Sequence, residues 1–191
     1  MSVQDGFAST IYYTGESDEA IVRQVVLGQK ELFRFLIKRH ENAVKGFGYS
    51  FFRNKEEISD FAQDVFLKAF NKLDQFKGNS RFSTWLYRIS YTTAINKINR
   101  GKEYQSLADN DYISAYCTPE DQHIKDVIRC AVREAVKELP DKYRICIDLF
   151  FFYDRSYCEI EEITGIPVNT VKSNVFRAKK ILREKLSSFA K

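Results

Sequence analysis

Apolar residues recur at intervals of three and four along most of this 191-residue chain. That spacing places them on one face of an α-helix, which completes a turn about every 3.6 residues. The chain has only 8 glycines and 3 prolines, the residues that most often interrupt helices. We therefore predict an all-α protein. The best candidate for a strand, IDLFFFYD, also follows helical spacing and is predicted to be a buried helix with an inner face at Tyr143, Ile147, Phe150 and Phe151.

The distribution of charge divides the chain into parts, although the formal net charge is only +4. Residues 77–102 hold six basic side chains and no acid, and residues 168–191 hold seven basic side chains and one acid. Between these blocks, residues 101–126 hold six acids and two lysines. We therefore predict two small helical domains joined by a flexible acidic linker, with a mobile tail at 1–15, a first domain at 16–102, the linker at 103–121 and a second domain at 122–191.

The composition argues against several classes of protein. No run approaches the roughly 20 apolar residues of a membrane-spanning helix, and no signal peptide is visible, so a cytoplasmic protein without membrane insertion is expected. The four cysteines form no C-x-x-C pair and only two histidines are present, so no metal centre or cofactor is expected. The chain has no phosphate-binding G-x-x-x-x-G-K motif and no credible triad, so we expect no catalytic residue and no small-molecule substrate.

Helix boundaries follow from capping residues and glycines. The first helix is predicted to break at Gly28, and a further helix at 55–73 to be followed by a loop at Gly78. Capping residues are predicted before three helices, and these are Ser17 or Asp18, Ser83 or Thr84, and Asn169 or Thr170.

The acid-free block contains a helix with two different faces. The apolar face carries Tyr87, Tyr91, Ala94 and Ile98. The opposite face carries amide, hydroxyl, guanidinium and indole groups, at Trp85, Arg88, Thr92, Asn96 and Asn99. Phe76 and Phe82 flank a basic loop just before this helix. Because aromatic rings stack on unpaired bases and cations follow the phosphates, the segment is predicted to bind single-stranded nucleic acid. For any one ring alone, a place in the core is the alternative.

Residues 156–182, SYCEIEEITGIPVNTVKSNVFRAKKIL, have the pattern of a helix-turn-helix. Ile160 and Ile163 are predicted to face inward, and Gly165 supplies the permissive backbone of the turn. The second helix has a buried stripe at Val171, Val175, Ala178 and Leu182. Its other side carries Lys172, Ser173, Asn174, Phe176, Arg177, Lys179 and Lys180, which suit base edges near the helix N-terminus and phosphates further on. The alternative is a solvated basic face on an ordinary helix.

Two long stretches carry a family resemblance, EEISDFAQDVFLKAFNKLDQFKGNSRFSTWLYRISYTTAINKINR and LPDKYRICIDLFFFYDRSYCEIEEITGIPVNTVKSNVFRAKKILREKL. They resemble the two principal regions of a bacterial RNA polymerase sigma factor of the sigma-70 family, extracytoplasmic-function type. The resemblance extends from about Asp18 to Leu186. It implies a first domain that binds core RNA polymerase and the melted −10 element of promoter DNA, and a second that binds the −35 duplex. It also implies a partner anti-sigma factor.

The resemblance assigns roles to three sets of residues. Core polymerase would bind Asp60, Gln63 and Asp64. The −10 single strand would bind Phe76, Lys77, Asn79, Ser80, Arg81, Phe82, Trp85, Arg88, Thr92 and Asn96. The −35 duplex would bind Thr170, Lys172, Ser173, Asn174, Phe176, Arg177, Lys179 and Lys180. The chain departs from the family at Thr92, where asparagine is frequent, and at Asn96, where aspartate is frequent.

Two other interpretations remain open from the sequence. A helix-turn-helix regulator that acts without polymerase would usually dimerise to bind two half-sites about one helical turn apart. The chain shows no spare amphipathic helix for such an interface, so a monomer is expected when the protein is free. The second alternative is an interaction module whose basic faces bind an acidic protein.

Overall fold

A computed structural model describes residues 15–52, 54–105, 132, 134–136 and 138–187. Its helices are α1 (Asp18–Val26), α2 (Phe33–Gly48), α3 (Lys55–Asn71), α4 (Phe82–Gln105), α5 (Asp141–Phe151), α6 (Tyr157–Thr164) and α7 (Val168–Leu186), with 3₁₀ turns at Lys30–Leu32 and Leu73–Gln75. Residues 132 and 134–136 are also helical. Over these described ranges no residue lies in a β-strand, and the all-α prediction is confirmed.

The chain divides into two compact units. The first comprises Met1–Gly48 and Lys55–Gly101, and the second comprises Tyr49–Asn54 and Lys102–Lys191. The first therefore contains α1 to α3 and most of α4, and the second contains α5 to α7. The predicted tail and most of the predicted linker lie outside the described residues. The domain bounds drawn from the sequence remain a prediction.

The core of the first unit is aromatic. Phe47 of α2, Phe61 of α3 and Phe82 of α4 have no exposed side-chain surface. The ring of Phe47 also meets Tyr87 of α4 edge to face, with centroids 5.4 Å apart. Contacts of this geometry stabilise a core beyond what the burial of apolar surface contributes. Val65 is fully buried beside Phe61, which confirms the inward face predicted for α3.

An ion-pair network ties the beginning of α1 to α2. Ser17 caps α1, as predicted, by accepting the N–H of Ala20. The next residue, Asp18, accepts a hydrogen bond from Arg39 Nη1 at 2.8 Å, and its other oxygen lies 2.6 Å from His40 Nε2. Burial raises the pKa of the Asp18 carboxyl, but the hydrogen bonds and charges of His40 and Arg39 outweigh burial and hold the pKa below its ordinary value of 3.8. The folded state therefore favours the ionised carboxylate.

Gly48 lies at a close contact between α2 and α3. A Cβ atom at this position would lie 2.9 Å from Phe61 Cδ1 and 3.3 Å from Ile58 Cγ2. Both neighbours are buried in the core and have little freedom to move. The missing side chain of Gly48 therefore permits the close approach of these two helices.

The core of the second unit is built by α5, α6 and α7. Ile145, Cys146 and Leu149 of α5 are buried, as are Ile160 and Ile163 of α6. The prediction that IDLFFFYD forms a helix is confirmed, but its predicted inner face is partly wrong. Ile147 is buried, whereas Phe151 is 56% exposed and Tyr143 and Phe150 are only half-buried. The face of α5 that packs in the core is therefore rotated away from Phe151.

We expect Gly48→Ala to lower the free energy of unfolding by about 1–2 kcal/mol. Alanine favours a helix over glycine by about 0.5–1 kcal/mol, but overpacking a core costs about 1–3 kcal/mol. Urea denaturation followed by circular dichroism measures the change. Gly15→Ala is the control, because an added Cβ there has no neighbour within 4 Å. Equal stability of Gly48→Ala and wild type would contradict the close approach.

We expect Asp18→Asn to lower the free energy of unfolding by about 1 kcal/mol at neutral pH, because the amide loses the charge that Arg39 and His40 bind. The folded-state pKa of Asp18 is lowered, so its contribution is complete above the unfolded value and is lost as the pH falls through the folded value. The difference between wild type and variant should therefore shrink below about pH 3.8. Urea denaturation across this range measures it, and a difference independent of pH would refute the assignment.

Candidate nucleic-acid interfaces

The outer face of α4 carries the polar groups that the sequence predicted for it. Arg88, Thr92 and Asn96 are exposed, and Trp85 is half-buried. The helix packs through other positions, and the buried ones are Phe82, Thr84, Leu86, Tyr87, Ile89, Ser90, Thr93 and Ala94. No acid lies between Lys77 and Lys102, so no carboxylate of this segment repels a phosphate.

Three aromatic rings form a cluster at the beginning of α4. The centroid of the Phe76 ring lies 5.5 Å from that of Trp85 and 5.9 Å from that of Phe82. The centroids of Phe82 and Trp85 are 5.7 Å apart. Phe76 and Trp85 each keep part of their surface exposed, so both can offer a ring to a base.

The structure corrects the role predicted for Phe82. Its side chain has no exposed surface, so no ring face is free to stack on a base. Its ring instead packs against the rings of Phe76 and Trp85. It also packs against the imidazole of His40, and these two ring centroids are 5.5 Å apart. The sequence pattern gave Phe76 and Phe82 equal weight because both flank the same basic loop.

The loop before α4 presents its polar groups outward. Lys77, Asn79 and Arg81 are exposed, and Ser80 is half-buried. Gly78 has a φ of 71°, a backbone conformation that glycine adopts without steric cost. The loop therefore places two cations beside the aromatic cluster.

The hydroxyl of Thr92 is engaged by its own helix. Oγ1 lies 2.9 Å from the carbonyl oxygen of Arg88 and 3.0 Å from that of Ile89. A hydroxyl has one proton to donate, and these carbonyl oxygens accept it. In this rotamer Thr92 offers a nucleic acid only its oxygen lone pairs and its methyl group.

The predicted helix-turn-helix is present as α6, a turn and α7. Ser156 and Glu159 form a reciprocal capping box at the beginning of α6. Gly165 ends the helix in the left-handed conformation, with a φ of 75°, as the turn requires.

The predicted caps of α4 and α7 are wrong. Helix α4 begins at Phe82, so Ser83 and Thr84 lie inside its first turn. Helix α7 begins at Val168, so Asn169 and Thr170 likewise lie inside it. Glutamates of other helices accept the first N–H groups instead. Glu19 Oε1 lies 3.0 Å from the nitrogen of Phe82, and Glu161 Oε1 lies 3.1 Å from that of Val168.

The outer face of α7 is basic and carries one large aromatic ring. Phe176 is 71% exposed, and the other exposed residues of the predicted set are Thr170, Lys172, Ser173, Arg177, Lys179 and Lys180. Asn174 is the exception and corrects the prediction. It is 6% exposed, and its Nδ2 donates to Cys146 Sγ of α5 at 3.6 Å. Asn174 faces the core, where no base can reach it.

Helix α5 adds residues to this surface that the sequence did not indicate. Arg177 Nη1 donates to the Tyr143 hydroxyl at 3.5 Å, and this hydrogen bond lowers the pKa of Tyr143. Lys142 Nζ lies 5.0 Å from the centre of the Tyr143 ring. On the other flank, Lys179 Nζ lies 5.0 Å from the ring centroid of Phe151 and faces α5. The contacts of Arg177 with Tyr143 and of Lys179 with Phe151 join residues far apart in sequence, and no local pattern predicts them.

The third predicted set lies on α3. Asp60, Gln63 and Asp64 are exposed and form one polar stripe, as predicted. An apolar groove of about 400 Å³ borders it, with a lining that includes Phe33, Ile37, Gln63, Phe66, Leu67 and Phe70. Leu67 is 61% exposed. The surface therefore combines acids with accessible apolar area, and the sequence indicated only the acids.

The part of the chain that the structure describes contains no group of three or more His, Cys, Asp or Glu residues placed to hold a metal ion. None of the described helices is long and apolar enough to span a bilayer.

Two helical units, one with an acid-free helix face beside an aromatic cluster and one with a helix-turn-helix, define a two-domain DNA-binding protein. Residues 36–103 match the family model of sigma-70 region 2, and residues 131–182 match that of sigma-70 region 4. The RNA polymerase sigma-H factor of Pseudomonas aeruginosa is 32% identical over 184 residues, which cover 91% of this chain and 95% of that protein. The chain belongs to the sigma-70 family of RNA polymerase sigma factors.

Other relatives place it in the extracytoplasmic-function group. The ECF RNA polymerase sigma factor SigW of Bacillus subtilis is 31% identical over 176 residues, covering 86% of this chain and 94% of that protein. The ECF RNA polymerase sigma-E factor of Escherichia coli K12 is 31% identical over 181 residues, with coverage of 89% and 94%. The family predicted from the sequence is confirmed.

Solved structures show the same fold. The sigma factor RpoE of Bartonella quintana, in complex with the anti-sigma factor NepR, matches with a TM-score of 0.68 and 24% identity over 81% of this chain and 96% of that chain. CnrH, in complex with the cytosolic domain of CnrY, matches with a TM-score of 0.66 and 22% identity over 91% and 99%.

We expect Asn174 and Phe176 to differ in their effect on stability. Asn174→Ala should lower the free energy of unfolding by about 1–3 kcal/mol, because it leaves a void and removes a buried hydrogen bond. Phe176→Ala removes an exposed ring and should change it by no more than about 0.5 kcal/mol. Thermal and urea denaturation of both variants measure the contrast. A neutral Asn174→Ala would show that this side chain does not hold α7 to α5.

Proposed function

We propose that this sigma factor divides promoter recognition between its two units. The first binds the separated strand of the −10 element, and the second binds the −35 element as a duplex. One observation carries the proposal. The two units present surfaces of different kinds, an aromatic cluster beside a basic loop in the first and a protruding basic helix in the second.

The first surface fits an unpaired base. Phe76 and Trp85 supply rings for stacking, which is worth about 1–3 kcal/mol per base. Lys77 and Arg81 lie beside them for the phosphates, and Arg88 continues the cationic track along α4. Separating and extruding a base costs a few kcal/mol, and these contacts offset that cost.

The second surface fits a major groove. Recognition helices of helix-turn-helix proteins place their N-terminal residues against base edges. Lys172, Phe176 and Arg177 are exposed in the first half of α7 and have the reach and the groups for that role. Arg177 is oriented by Tyr143, and Lys180 suits a phosphate of the backbone.

The acidic stripe and apolar groove of the first unit form the surface that we assign to core polymerase. Asp60 and Asp64 suit a basic partner surface, and rim charges of this kind direct association and register. The groove beside them, with Leu67 exposed, offers the apolar area that a lasting interface requires. Catalysis of RNA synthesis belongs in this proposal to the polymerase.

An anti-sigma factor is the further partner that we propose. The Bartonella quintana sigma factor and CnrH were each solved bound to a second protein, which is NepR for the former and the cytosolic domain of CnrY for the latter. By analogy, this chain would be held inactive by such a protein and released as a cytoplasmic monomer.

Reconstituted transcription tests the division of roles. With core polymerase and a promoter library, the wild-type protein should direct initiation at a defined set of sites. Arg177→Ala should weaken −35 duplex binding about tenfold or more, since a specific base contact is worth about 1–3 kcal/mol. Phe76→Ala should bind the duplex within about twofold of wild type, yet lower strand opening, measured by permanganate reactivity, about tenfold.

Two controls separate the outcomes. Arg23→Ala removes an exposed arginine of α1 and should change neither step. All three variants should bind core polymerase as wild type does. If Phe76→Ala and Arg177→Ala initiate like wild type, the site assignment is wrong. A stable dimer on palindromic DNA that ignores polymerase would favour the regulator, and no salt-dependent DNA binding in the presence of polymerase would favour the interaction module.

A further inference from the structure

Glu19, in the first turn of α1, touches the beginning of α4 although 63 residues separate the two positions. The N–H of Phe82 donates to Glu19 Oε1 at 3.0 Å. The first N–H groups of a helix have no partner within the helix, and a carboxylate there also stabilises the positive end of the helix dipole. Helix α4 has no acid in its own first turn. Glu19 therefore supplies from another helix the acid that α4 lacks.

The residue that Glu19 holds is the buried support of the aromatic cluster. The Phe82 ring contacts both Phe76 and Trp85, the two rings with exposed surface. On its other side the ring contacts His40, which Asp18 holds at 2.6 Å. Phe82 is therefore restrained twice by the beginning of α1, through its backbone by Glu19 and through its ring by way of His40.

We infer that Glu19 is a positioning residue for the single-strand site, an inference that rests on the proposed function of this cluster. Glu19 touches no DNA in this scheme. It sets the position of the Phe82 backbone, and through it the relative placement of the Phe76 and Trp85 rings. A base that stacks on a pre-ordered pair of rings loses less binding free energy to ordering the protein than one that must order them itself.

Substitutions at Glu19 separate its hydrogen bond from its charge. Glu19→Gln keeps a carbonyl oxygen that can accept the N–H of Phe82, whereas Glu19→Ala removes the acceptor. Glu31→Ala is the matched control, because it removes an exposed acid elsewhere in the same unit. Denaturation curves establish that each variant is folded at the assay temperature.

The cluster carries its own probe, because Trp85 is the single tryptophan of the chain. Without DNA, Glu19→Ala should shift the Trp85 emission to longer wavelength and increase its quenching by acrylamide. Glu19→Gln and Glu31→Ala should match wild type. With core polymerase, Glu19→Ala should lower strand opening about two- to tenfold, the range expected from losing the hydrogen bond to the N–H of Phe82, and leave −35 duplex binding unchanged. Glu19→Gln should restore most of the opening.

The two assays distinguish the inference from the function on which it rests. If the folded Glu19→Ala variant leaves Trp85 emission and strand opening as in wild type, the inference is overturned. It is also overturned if opening and duplex binding fall together, or if Glu19→Gln is as impaired as Glu19→Ala. If wild-type protein does not open promoters at all, the proposed function fails, whereas the fluorescence change at Trp85 still reports whether Glu19 orders the cluster.

Discussion

In two helices of this protein, α4 and α7, the first N–H group donates to a glutamate of a different helix. The N–H of Phe82 donates to Glu19 at 3.0 Å, and the N–H of Val168 donates to Glu161 at 3.1 Å. A helix N-terminus is stabilised by a nearby acid, but an acid on a DNA-facing surface repels phosphates. Neither α4 nor α7 has an acid in its first turn. An acid on a neighbouring helix, α1 for α4 and α6 for α7, meets both requirements. The geometry of each surface therefore depends on a contact with that neighbouring helix.

In the proposed function this arrangement gives the supporting helices an indirect part in recognition. Helix α6 is itself held at both ends, by the capping box at Ser156 and by the left-handed Gly165. Through Glu161 it also holds the beginning of α7, so α6, the turn and α7 are joined by a side-chain contact as well as by the chain. Helix α1 stands in the same relation to α4 through Glu19, and Asp18 ties α1 to α2 at the same end. In both units the helix that we propose to face DNA begins at an acid that it does not carry.

Local patterns predicted most of the fold, because helices and turns depend on neighbours in sequence. The polar face of α4, the cap at Ser17 and the turn at Gly165 all followed from spacing and residue type. The wrong predictions share a physical cause, because each depends on how the helices pack against one another. Asn174 has the chemistry of a base reader, yet it lies at the edge of the face that packs on α5. Phe82 resembles Phe76 in sequence, and only the packing of His40 against its ring identifies it as buried.

Phe176 and Phe82 differ sharply in exposure, and the proposed function explains the difference. In the proposed function α7 binds a duplex from outside, so its side chains must protrude, and Phe176 is 71% exposed. The proposed site for an unpaired base needs rings that are already in place, and Phe82, which contacts both of them, has no exposed surface. Rings of the same type would thus serve the two surfaces in opposite ways. The aromatic cluster at α4 packs on a ring that is buried in the core, whereas the ring of Phe176 on α7 is accessible because it lies outside the core.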